Sequence, residues 1–97
     1  MMGTRGGDLD PGVVLHLATG LGLSPERIGA ILNHESGLKA FTGLNDMREV
    51  LNKRAAGDAP AALAIDVYTY RVKKYIGAYL AALGRVDAIV FTGGVGE

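Results

Sequence analysis

Residues 86–97 read Val-Asp-Ala-Ile-Val-Phe-Thr-Gly-Gly-Val-Gly-Glu, and the fold class turns on how they are read. Ala88, Ile89, Val90 and Phe91 form a short unbroken apolar run. Such runs belong to strands buried on both faces, as in parallel sheets flanked by helices. The expectation is an α/β fold, mostly helical, with one buried strand over 86–92. Glycines follow the strand at once. They let backbone N–H groups approach a ligand closely, and a helix N-terminus after them would favour phosphate. The spacing lacks the Gly-Lys-Ser/Thr of a P-loop and the full dinucleotide fingerprint, so a plain tight turn explains it equally well. One strand makes no sheet. Its neighbours are expected in sequence or chains beyond these residues, and the chain, ending in mid-motif at Glu97, reads as a piece of a larger protein.

Upstream of the strand, residues 59–83 carry no proline beyond the first turn, many alanines and a single internal glycine, Gly77. A helix of about 25 residues, roughly 37 Å long, is predicted. Leu63, Val67, Tyr70 and Lys74 share one track, while Ile65, Val72, Ile76, Tyr79, Leu80 and Leu83 spread apolar cover around much of the rest. So wide an apolar surface asks for partners. Asp66, Arg71, Lys73 and Lys74 mark the solvated side. Shorter helices are predicted from capping signals. Asp10-Pro11 opens one that ends at Gly20. Ser24-Pro25 opens a second, with Ile28, Ile31 and Leu32 on one face. Asp46, with Glu49 three residues on, opens a third that closes at Gly57. Residues 33–45 show no period and are predicted as a structured loop.

Composition narrows the function. The 97 residues suit at most one small domain, and 48% are apolar, enough for a core. Ten basic and ten acidic residues cancel, which argues against nucleic acid as a partner. Cysteine is absent, so disulfides and cysteine metal sites are excluded. No apolar run reaches the roughly 20 residues of a membrane helix. Neither His16 nor His34 has a second ligand at metal-binding spacing, so no metal site is expected within the chain.

Two further segments could carry chemistry. Arg5 stands in Gly3-Thr4-Arg5-Gly6-Gly7-Asp8, a loop able to approach a ligand, and its planar donors suit phosphate oxygens or the charge of a phosphoryl-transfer transition state. A surface turn is the simpler explanation. Asp46 and Arg48, two apart at a helix start, could hold a ribose or base on one side and a phosphate on the other. A helix cap followed by a solvated arginine is again simpler.

Five blocks alter that balance: Met2 to Gly12 (Met-Gly-Thr-Arg-Gly-Gly-Asp-Leu-Asp-Pro-Gly), Leu32 to Leu38 (Leu-Asn-His-Glu-Ser-Gly-Leu), Gly43 to Arg48 (Gly-Leu-Asn-Asp-Met-Arg), Tyr70 to Tyr79 (Tyr-Arg-Val-Lys-Lys-Tyr-Ile-Gly-Ala-Tyr) and the closing Val86 to Glu97. In this order, and over essentially the whole chain, they closely resemble the acetate kinase family. The resemblance implies that residues 1–97 form part of a C-terminal nucleotide-binding domain of the ribonuclease-H-like kind shared with sugar kinases and actin. It implies reversible, Mg2+-dependent phosphoryl transfer between ATP and acetate, giving ADP and acetyl phosphate. Arg5 matches the arginine that stabilises the transferring phosphoryl group. Asp46, Met47 and Arg48 match the triplet lining the adenosine pocket. Gly94, Val95, Gly96 and Glu97 match the start of a second nucleotide-binding loop, which in the family continues with an asparagine.

The acetate pocket, the Mg2+ ligand and the remaining catalytic groups of the family fall outside these residues. The chain alone is therefore expected to lack kinase activity and to bind nucleotide weakly at best. The resemblance further implies a homodimer paired through this domain, and a cytoplasmic protein with no membrane partner. Propionate and butyrate kinases remain open as alternatives, since the discriminating residues would lie elsewhere. From a different class, a non-catalytic helical association module would show no response to ATP or ADP.

Overall fold

The computed structural model describes residues 1–94; Val95, Gly96 and Glu97 lie outside the described residues. Five helices follow one another: α1 (Pro11–Leu15), which runs into a π-helical turn at His16–Gly20, then α2 (Pro25–His34), α3 (Gly37–Thr42), α4 (Met47–Ala55) and α5 (Ala59–Leu83).

The caps act where short side chains can reach the free amides of a first turn. Asp10 accepts from the Gly12 N–H at 2.7 Å, Ser24 from Arg27 at 3.2 Å, Asp46 from Arg48 at 2.8 Å and Asp58 from Ala61 at 2.8 Å. Pro11, Pro25 and Pro60 sit in first turns, where a missing N–H costs nothing. Gly57, at φ +88°, stops α4 in the left-handed region that glycine enters freely. His16 is exposed, and its ring lies over Gly20.

Two sequence expectations fail. Residues 33–45 are not all loop, because Gly37–Thr42 forms α3. Ser36 makes no side-chain cap there. The amides at the start of α3 bond instead to the N-terminal loop: Ser36 donates to the Thr4 carbonyl, Leu38 to Met2 and Lys39 to Gly3, each at 2.9 Å. A helix capped by residues more than thirty positions away leaves no local signal. The second failure is the buried strand. Among the described residues no strand forms, and Val90 and Phe91 are 79% and 66% exposed. An extended segment becomes a strand only when a neighbour takes up its N–H and C=O groups, and none is present among the described residues. Val86, Ala88 and Ile89 turn back instead along the second half of α5, closing one side of an apolar groove of about 330 Å3.

The core is small. Leu38 of α3, Val50 of α4 and Ala61, Ala64 and Ile65 of α5 are buried together, with Met1, Leu44, Met47 and Tyr68 packed around them. The two alanines let α3 and α4 come close to the first half of α5. Its second half, from Tyr70 to Leu83, carries large apolar side chains that remain exposed. The radius of gyration, 15.9 Å, exceeds the roughly 12.5 Å of a compact chain of this length. The wide apolar surface expected of α5 is therefore present and, among the described residues, largely exposed.

Candidate functional site

The N-terminal loop is ordered by its backbone. Besides accepting the three α3 amides, it turns on itself through a Met2 N–H bond to the Arg5 carbonyl at 3.0 Å, and the Thr4 hydroxyl donates to the Asn33 carbonyl at 2.9 Å. Gly37 makes this contact possible. At φ +64° it has no Cβ, and one placed there would collide with the Met2 carbonyl and lie 2.7 Å from that of Arg5. Arg5 stands exposed at the edge of a groove of about 360 Å3 shared with Gly6, Leu9, Leu32 and Asn33.

The chain has six arginines. Arg27 pairs with Glu35, Arg48 with Asp46, Arg54 with Asp66, Arg71 with Asp8 and Arg85 with Asp87. Among the described residues Arg5 alone has no carboxylate partner. An unpaired guanidinium on a backbone-clamped loop is free to meet an incoming anion.

At the start of α4, Arg48 folds back onto the carboxylate that caps its own helix. Its Nη2 lies 2.8 Å from Asp46 Oδ2 and its Nε 3.2 Å from Oδ1. The guanidinium bonds first, and the Arg48 backbone N–H next, hold the Asp46 carboxyl at about 2, below its ordinary 3.8. Arg48 remains 88% exposed, so the outer edge of its guanidinium faces solvent. Met47, expected in a ligand pocket, is half-buried against the core. A Cβ on Gly3 would lie 3.0 Å from the Asn45 carbonyl, which places the Arg5 loop beside the residue leading into Asp46. Gly94 is exposed with open space around its Cα, and joins neither group. Val95, Gly96 and Glu97 lie outside the described residues.

One cluster escaped the sequence reading. Arg71, assigned to a solvated side of α5, donates from Nη2 to Asp8 Oδ2 at 2.7 Å, and the Tyr75 hydroxyl donates to the same oxygen. The Arg71 guanidinium also lies 6.0 Å from the Tyr75 ring centre. The bond to Asp8 first, and burial second, raise the Tyr75 phenol above its ordinary 10.0. The available signal was the spacing of Arg71 and Tyr75, one helical turn apart and able to share an acceptor.

The sequence profile of the Acetokinase family matches residues 1–97. Over all 97 residues the chain is 58% identical to an acetate kinase from Syntrophobacter fumaroxidans, of which it covers 24%. It superposes on the crystal structure of Porphyromonas gingivalis acetate kinase with a TM-score of 0.94 at 49% identity, covering 100% of this chain and 25% of that one. For the crystal structure of a propionate kinase from Francisella tularensis the TM-score is 0.93 at 45% identity, covering 99% of this chain and 25% of that one. The chain thus spans about a quarter of the length of these relatives.

Proposed function

The chain belongs to the acetokinase family, and on that premise we propose that it supplies part of the ATP site of an acetate kinase. The reaction is reversible: an acetate oxygen attacks the γ-phosphorus of ATP, the bond to the ADP oxygen breaks, and acetyl phosphate and ADP result. Residues 1–97 would lie within a C-terminal, ribonuclease-H-like nucleotide-binding domain of a longer polypeptide. Propionate is the alternative acyl acceptor, supported by the likeness to the Francisella tularensis propionate kinase.

What carries the reading is Arg5, the one arginine without a carboxylate partner among the described residues, on a loop fixed to α3. Charge spreads over the phosphoryl oxygens in the transition state, and a positioned guanidinium stabilises it with little reorganisation. Asp46, Met47 and Arg48 would border the adenosine. In that role Asp46 holds Arg48 at the helix start, leaving the outer guanidinium edge for the nucleotide, while Met47 offers apolar contact from the core side. Gly94, Val95, Gly96 and Glu97 would begin the loop on the nucleotide's other side.

Among the described residues no group of three or more His, Cys, Asp or Glu side chains could hold a metal ion. Mg2+ would be held by residues beyond them, and no step is routed through it. The uncovered second half of α5, with Tyr79, Leu80 and Leu83 exposed, supports pairing of two copies through this domain. No helix among the described residues is long and apolar enough to cross a membrane. A cytoplasmic location fits an enzyme that draws on ATP.

Hydroxylamine trapping of acyl phosphate tests the function. With ATP and acetate the complete polypeptide should yield acetyl hydroxamate, and residues 1–97 alone should yield none. Product from these residues alone would overturn the partial-site assignment. Absence of product from the complete polypeptide with acetate, propionate and butyrate would overturn the function itself.

A further inference from the structure

We infer that Asp8 is a positioning residue for Arg5, latching the Arg5 loop to α5 through Arg71 and Tyr75; this rests on the role proposed for Arg5. The loop is fastened at two places. At its front, the carbonyls of Met2, Gly3 and Thr4 receive the amides of Leu38, Lys39 and Ser36. At its rear, a single oxygen, Asp8 Oδ2, receives both the Arg71 guanidinium and the Tyr75 hydroxyl. Only Arg5, Gly6 and Gly7 lie between.

The Arg5 carbonyl itself accepts from the Met2 N–H at 3.0 Å. The two consecutive glycines after it, however, are the most freely rotating link a chain can offer, so the front clasp alone does not fix the path by which the chain leaves Arg5. Gly7 sits at φ +84°, and a Cβ on it would stand 2.8 Å from the Met1 nitrogen. The rear anchor is stiff. Arg71 and Tyr75 sit one turn apart on a 25-residue helix, and two donors converging on one oxygen fix its place. Arg71 is also the most sheltered of the five ion-paired arginines, its side chain 27% exposed against 45% to 88% for the others, while Asp8 is 65% exposed.

The test is a double-mutant cycle on the complete polypeptide, with kcat and the KM for ATP measured for the unaltered protein, Asp8→Asn, Arg5→Ala and the double variant. Asp8→Asn should lower kcat by about tenfold to 100-fold with little change in KM, the effect of a reacting group held loosely. In the Arg5→Ala background it should have no further effect. Circular dichroism restricts the comparison to folded proteins. Should Asp8→Asn unfold, Tyr75→Phe removes one donor, leaves the ion pair and carries the same cycle. An unchanged kcat in the Asp8→Asn protein, or an equal loss in both backgrounds, overturns the latch alone. An Arg5→Ala protein with unchanged kcat overturns the role of Arg5, and the latch falls with it.

Discussion

Gly37 and Met2 meet backbone to backbone: the Cα of Gly37, at φ +64°, lies under the Met2 carbonyl with no room for a Cβ between them. This contact joins the N-terminal loop to the start of α3. Gly37→Ala meets both a disfavoured backbone conformation and a collision, and should lower stability by about 2 kcal/mol or more. Urea unfolding followed by circular dichroism measures it. Gly57→Ala is the comparison, since Gly57 also has positive φ but open space around it, and its cost should be the smaller.

Gly77 gives the opposite sign. It lies exposed inside α5, with ordinary helical φ and nothing near the site of a Cβ. Gly77→Ala should stabilise the chain by about 1 kcal/mol, read as a higher urea midpoint at unchanged slope.

Asp46 should titrate at about 2 rather than its ordinary 3.8. Its folded-state value is depressed, so the stability it confers is present above 3.8 and is lost as pH falls toward 2. Carboxyl carbon NMR titration reads the midpoint directly. Arg48→Ala removes the leading cause and should move the midpoint back toward 3.8. A midpoint that stays put would assign the shift to the helix-capping amide.

Tyr75 titrates the other way. Its phenol must keep its proton to donate to Asp8, so this bond contributes in full below pH 10.0 and disappears as pH rises through the raised folded-state value. Ultraviolet difference titration should show Tyr75 ionising above 10.0, with the assignment made by Tyr75→Phe. Asp8→Asn should bring it back toward 10.0.

Local signals in the sequence were sufficient for most of the helices. Ser24, Asp46 and Asp10-Pro11 act within their own first turns, and the alanine-rich stretch from Ala59 forms α5 over the predicted length. Signals that depend on distant partners were not legible. The start of α3 is capped by carbonyls from residues 2–4, so nothing near Ser36 announces it. Val86 to Thr92 has the composition of a strand, but pairing is a property of two segments, and a lone segment does not show whether its neighbour is there. The cap at Asp46 and the exposure of Arg48 are legible from their place at a helix start, whereas the ion pair between them is seen only in the fold. The link from Asp8 to Arg71 and Tyr75 spans more than sixty residues and needed the fold to bring it together. The glycine-flanked loop marks Arg5 as a candidate, whereas its lack of a carboxylate partner among the described residues depends on where the other five arginines lie.

The most direct measurement is kcat for acetate-dependent ADP formation by the complete polypeptide carrying Arg5→Ala. A loss of about a thousandfold or more is expected, the scale of an arginine that stabilises a transferring phosphoryl group, with little change in the KM for ATP. An unchanged kcat would contradict the assignment of Arg5 and the reading of this loop as part of a phosphoryl-transfer site.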